Sequence, residues 1–325
     1  MSSSTSLTFT HLRFQARART PMRLGQYQGA ERLRDALAQV MLRAVCPETR
    51  RAEKPSAEHA AVCPACWLLA AEVEPGAVRR VYSLVGPQPS LDVLAPGQSF
   101  QFTITLFGEG FRFLPYFVLA ASAMGDTGVG PGRGKFEIVS IHAVNPLTGE
   151  TRAILAEGER VVRPQSLSVT WEDAQNAARL MACDGDVRVR FLSPTRLIDS
   201  ESLVKAPDFG VFFRRLLERV DELARQHCGG ERRPPKEVTE LYSLADQVRL
   251  VESSTQWVDL WGPSGRTGRS APMGGFVGWA VYRSKHWDKI LPWLLLGQGV
   301  QVGKLTAKGN GVFQVELAGR NGYWS

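Results

Sequence analysis

The sequence predicts an α+β protein whose two halves share one plan, and three observations carry that expectation. Apolar periodicity reads strand–helix–strand–strand–helix–strand in each half. The helix after the first strand of each half is long and amphipathic. A glycine-rich, basic loop precedes the last strand of each half: "GVGPGRGKFEI" (128–138) and "GKLTAKGNGVFQV" (303–315). This order makes an antiparallel sheet with two helices on one face, the ferredoxin-like (RRM-like) arrangement, here in tandem. We expect an N-terminal domain over 1–170 with a Cys-rich insertion at 46–66, and a C-terminal domain over 171–325 with its glycine-rich loop at 303–311.

Each element has a local reason. "SLTFTHLRFQAR" (6–17) alternates as a strand, with Leu7 and Phe9 or Leu12 and Phe14 facing inward. "GAERLRDALAQVMLRAV" (29–45) sets Leu33, Leu37, Val40, Met41 and Ala44 on one helical stripe with charge opposite. Strands are expected at 67–73, 79–85 and 99–107. "FRFLPYFVLAASAM" (111–124) reads as a buried helix with Pro115 in its first turn, and 135–144 as the next strand. A hairpin is expected at the Leu-Thr-Gly turn of 147–149. The second half gives a strand at 186–198 turning at Pro194, a helix at 208–226 and strands at 247–260 and 274–283. A helix from 286, running at least to Ile290, and a last strand at 312–319 complete it.

Of the 325 residues, 44% are hydrophobic, yet no apolar run reaches the roughly 18–20 residues that span a bilayer. The N-terminus "MSSSTSLTFTHLRFQARART" lacks the apolar segment of a secretory signal, and five cysteines do not make a disulfide framework. A cytoplasmic, reduced protein with no membrane partner is the expectation. The formal charge of +7 is unevenly spread: residues 1–50 hold eight arginines against Glu31, Asp35 and Glu48. Arginine-weighted clustering suits phosphate contact, and a plain solvated basic surface is the alternative. In 303–315, Lys304 and Lys308 with Gly303, Gly309 and Gly311 offer a backbone that comes close to an anion.

"CPETR" (46–50) and "CPAC" (63–66) bracket a charged, alanine-rich stretch. Cys63 and Cys66 have zinc-knuckle spacing, and Cys46 is a third candidate ligand. Thr49 stands where a fourth cysteine would be, with His59 as a substitute. Three small buried thiols are the competing reading. Cys183 and Cys228 have no partner pattern.

The two glycine-rich loops, with "VRFLSPTRL" (189–197), "WGPSGRTGRSAPMGGFVGWAVY" (261–282) and "LPWLLLGQGVQVGK" (291–304) between them, resemble in their order the CRISPR-associated repeat-processing endoribonucleases of the RAMP superfamily. The match is best over 186–315 and thinner over 24–140. The resemblance implies a guide-RNA precursor as ligand, cut once per repeat. It implies attack by the 2′-hydroxyl upstream of the scissile bond, giving a 2′,3′-cyclic phosphate and a 5′-hydroxyl with no catalytic metal. Such chemistry needs a base, an acid and a cation for the phosphorane charge.

Family members usually place a catalytic histidine between the first strand and the end of the first helix, and residues 18–58 contain none. His11, inside the first strand, and Tyr27, in "LGQYQGAERLR", are the candidates left, with Arg32 beside Tyr27. His59, His142, His227 and His286 read more simply as loop, strand or helix-end residues. Arg19, Arg23, Arg34, Arg133, Lys135, Arg266, Lys304 and Lys308, with Gly303, Gly309 and Gly311, are the expected RNA contacts. Two readings stand beside the nuclease: a catalytically weak or inactive guide-RNA-binding protein, and a backbone or capping subunit of a CRISPR effector. Trp257, Trp261, Trp279, Trp287 and Trp293 fit core packing better than a base-stacking platform.

Overall fold

Two antiparallel sheets, each with its own strand pairing, organise the chain, and the computed structural model describes residues 4–48, 56–69, 80–181, 185–263 and 270–316. The first half holds β1 (Phe9–Ala18), α1 (Gly29–Val45), α2 (Ala57–Val62), α3 (Pro64–Leu69), β2 (Tyr82–Val85), β3 (Ser99–Phe107), α4 (Leu114–Thr127), β4 (Phe136–Asn145) and β5 (Glu150–Leu155). The second holds α5 (Trp171–Leu180), β6 (Asp186–Thr195), α6 (Phe209–His227), α7 (Pro235–Asp246), β7 (Arg249–Val258), β8 (Gly275–Arg283), α8 (Trp287–Gly297) and β9 (Phe313–Glu316).

The sheets run β2-β3-β1-β4-β5 and β7-β8-β6-β9. In both, the half's first strand lies between its third and fourth, so the ferredoxin-like order occurs twice. Register follows the apolar alternation. Leu12, Phe14 and Ala16 of β1 are buried against the helices, and Phe14 stacks on Phe102 of β3 at 4.8 Å. The hairpin at 147–149 forms, pairing β4 with β5. Pro115 sits in the first turn of α4, and α8 runs through Pro292 to Gly297.

Three features depart from or go beyond the expectation. The strand expected at 67–73 begins as helix α3, which starts on Pro64, a residue suited to a helix's first position; residues 70–79 lie outside the described residues. α5 occupies residues 171–180, for which no element was expected, held by a capping box in which the Thr170 hydroxyl accepts from the Asp173 N–H. The two main cores do not divide strictly by half: one is built from first-half residues alone, whereas Leu7, Phe9, Phe107 and Val169 join the second half's cluster with Phe191, Phe212 and Trp293. Phe9 leaves β1 on the face opposite Leu12, and Val169 locks it there by a reciprocal pair of backbone hydrogen bonds at 2.7 and 3.2 Å.

Candidate active site

The chain enters α1 through a tight turn, and three loops converge on it. Tyr27 has a left-handed backbone (φ 63°) and donates its N–H to Ser90 Oγ at 2.7 Å, so the 86–90 loop holds the turn from one side. Its ring is half-buried. The Arg32 guanidinium donates to Arg23 O at 2.6 Å and Gln28 Oε1 at 2.7 Å. Arginine carries five N–H donors, so others remain for a ligand. The first glycine-rich loop closes on itself between Val129 and Gly134, and Gly130 lies so near that a Cβ there would be 2.4 Å from Arg23 O. Arg23, Arg133 and Lys135 are exposed around it. Arg19 is exposed too, in an ion pair with Asp126.

The C-terminal glycine-rich loop approaches the same turn differently from the expectation. Lys308 is buried and donates through Nζ to Glu31 Oε1 at 2.7 Å, in the first turn of α1. Two charges taken out of water together are held by each other, which removes Lys308 from the phosphate contacts expected of it. Gly309 packs against α1, where a Cβ would stand 2.1 Å from that of Ala30, and Gly303 and Gly311 fold the loop back on Arg196 O and Val302 O. These glycines serve close packing within the protein. Lys304 remains exposed and lines a cavity of about 190 Å³ with Arg196, Arg215 and Arg219. Thus the two lysines diverge, one into the junction and one toward open solvent.

His11 does not reach this site. It is 2% exposed, its Nδ1 lies 2.7 Å from Thr105 Oγ1, and Phe9 packs on it. Burial, with the Arg13 charge second, lowers its pKa to about 3. A ring sealed from solvent meets no substrate, so the catalytic role expected of His11 is withdrawn. Arg34 spends its guanidinium on the neighbouring Asp35 and is 15% exposed. Arg266 lies outside the described residues. The tryptophans divide: Trp287 and Trp293 are core, whereas Trp261 is 62% exposed.

The residues not anticipated are Glu31, Ser90 and Gln28, which fix the turn, and Arg188 with Trp279, a cation–π pair 4.5 Å apart on the second sheet. Glu31 read as one charge on a helix's polar face, and no spacing announced a partner 277 residues away.

The Cys-rich insertion folds at the far end of α1. Cys46 caps that helix, and Cys46, Cys63, Cys66 and His59 bring their ligand atoms within 4.8 Å of one another. Backbone N–H groups of Cys66 and Ala65 hydrogen-bond the Cys63 sulfur, and against its burial they lower its pKa. Burial pushes the Cys66 thiol up to about 12. Such a cluster has the donor set and spacing to hold zinc.

Comparison with known proteins adds family and fold. Residues 7–167 match a family model described as the AF_1859 N-terminal domain, and residues 189–313 match the model of the CRISPR-associated endoribonuclease Cas6. A solved Cas6 of Thermus thermophilus superimposes with a TM-score of 0.57 at 14% identity, covering 97% of this chain and 100% of that one. A Cas6 product complex gives 0.56 at 16% identity, covering 96% and 99%. A partial Cas6-RT-Cas1–Cas2 complex gives 0.62 at 12% identity; this chain is 98% covered and spans 48% of that one. At these identities the structures establish shared fold. No curated protein matches the chain. Among the described residues, no helix is long and apolar enough to cross a membrane.

Proposed function

We propose that this chain, a CRISPR-associated endoribonuclease of the Cas6 type within the RAMP superfamily, binds the repeat of a guide-RNA precursor across its two ferredoxin-like domains (1–170 and 171–325) and cuts it at the start of α1. The observation that carries this is the convergence of the 86–90 loop and both glycine-rich loops on the turn holding Tyr27 and Arg32, in a chain matched to Cas6 over 189–313. The 2′-hydroxyl attacks the phosphorus and gives its proton to solvent, the P–O5′ bond breaks, and the departing 5′-oxygen takes a proton from solvent, leaving a 2′,3′-cyclic phosphate and a 5′-hydroxyl. Tyr27 positions the nucleophile by hydrogen bonding, and the free donors of Arg32 take the charge that develops on the phosphorane. Arg23, Arg133, Lys135 and Lys304, all exposed, follow the backbone, and the product carrying the guide stays bound. Among the described residues, the Cys46, Cys63 and Cys66 cluster that could hold a metal sits the length of α1 away (~24 Å) from this chemistry.

End-labelled repeat RNA from the host array, incubated with the protein in excess EDTA, tests this. A single cut, abolished by one 2′-deoxy substitution at the cut site, is the expected result. Repeat-specific retention without a cut would leave a guide-RNA-binding subunit. The absence of histidine from the turn before α1 favours that second reading, because tyrosine and arginine side chains are poor proton carriers near neutral pH.

A further inference from the structure

We propose that Cys46, His59, Cys63 and Cys66 bind one Zn²⁺ in a closed tetrahedron that clamps α2 and α3 onto the C-terminus of α1, with Glu48 orienting the histidine. This stands independently of the RNA reading.

Two of the ligand–ligand distances are those of a zinc tetrahedron, and all four ligand atoms lie within 4.8 Å of one another. Tetrahedral zinc holds sulfur at about 2.3 Å and imidazole nitrogen at about 2.0–2.1 Å, which fixes ligand–ligand edges at about 3.6–3.8 Å. Cys46 Sγ lies 3.7 Å from Cys66 Sγ and 3.5 Å from His59 Nε2. A disulfide would need its sulfurs at about 2.05 Å and would leave a third thiol and an imidazole facing it. The ring is also set the right way round. His59 Nδ1 lies 3.2 Å from Glu48 Oε1, which places the proton on Nδ1 and turns the Nε2 lone pair into the cluster. Carboxylate-oriented imidazole is the usual outer arrangement of a zinc-bound histidine.

The three cysteines come from three places: the cap of α1, the cap of α2, and α3. All are at most 6% exposed. Four protein donors leave no position for water, so the ion is structural. Its role is to fasten a small insertion with little core of its own to the helix whose other end carries Tyr27.

The full-length protein, expressed with zinc supplied and purified under reducing conditions without chelator, tests the proposal by elemental analysis and intact mass. One zinc per chain is expected, and cobalt exchange should give intense thiolate charge-transfer absorption with tetrahedral ligand-field bands. Glu48→Gln, which touches no sulfur, should weaken zinc retention against a chelator by roughly 10–100-fold. Cys66→Ser should abolish it. A metal-free chain with no cobalt bands, or one lighter by two hydrogens and carrying no zinc, would overturn the site. Unchanged retention in Glu48→Gln would overturn the part given to Glu48.

Discussion

Replacing Glu31 by glutamine leaves the Lys308 ammonium buried at the junction of the two halves without its counter-charge. At 2.7 Å the pair's gross attraction is about 6 kcal/mol for an effective dielectric near 20. Desolvation costs several kcal/mol per ion, so the intact pair contributes little net stability, but losing one partner costs roughly 3–5 kcal/mol. For a unit of this size each kcal/mol moves the melting temperature by about 2–4 °C, so Glu31→Gln should lower it by roughly 6–20 °C. The Glu31→Leu/Lys308→Met double variant removes both charges together and should melt near or above the wild type. Differential scanning calorimetry of the singles and the double gives the coupling directly. The RNA arm is separate. Lys308→Met should leave the salt dependence of repeat-RNA binding unchanged, whereas removing a cation that neutralises one phosphate of a single strand makes the slope shallower by about 0.7. A Glu31→Gln melt within about 2 °C of wild type, or a shallower salt slope in Lys308→Met, would refute the junction role.

The other predictions concern neighbouring residues. His11 has a folded-state pKa near 3 against about 6.5 unfolded, so below pH 6.5 the unfolded chain binds the extra proton. Stability should therefore fall by up to about 1.4 kcal/mol per pH unit from pH 6.5 toward 3, and His11→Leu should flatten that slope in pH-dependent melts. Gly309→Ala, with φ +86° and Ala30 at 2.1 Å, should destabilise by at least about 1–3 kcal/mol in urea titrations. Arg133→Ala should reduce the salt slope that Lys308→Met spares, read by fluorescence anisotropy. Tyr27→Phe should keep repeat affinity and slow single-turnover cleavage by roughly 10²-fold or more, and an unchanged rate would remove Tyr27 from the chemistry.

Local pattern was enough where local physics decides. "SFQFTITLF" becomes β3 over the residues its alternation marks, because one face packs on Phe14 and its neighbours. Trp67, Leu68 and Leu69, at the start of the expected strand, are helical because a short apolar run has no period of its own and Pro64 just upstream favours a helix start. The signal for α5 was present in Thr170 and Asp173, three residues apart. At the site, the turn with Tyr27 and Arg32 was legible from its glycines and charge. The fate of Lys308 was not, since a basic residue in a glycine loop reads the same facing solvent or Glu31. The burial of His11 depends on how the second half covers β1, and no local window contains that.

The sharing of one core between the halves sets a rule for recombination. A chimera exchanging residues 171–325 with those of a relative would leave Leu7, Phe9, Phe107 and Val169 to pack against foreign side chains. Expressed alone, residues 1–170 would present the same four apolar groups to water, an invitation to self-association. The natural crossover is therefore not a cut in the chain. It is a graft that carries the first strand's leading residues along with the C-terminal half.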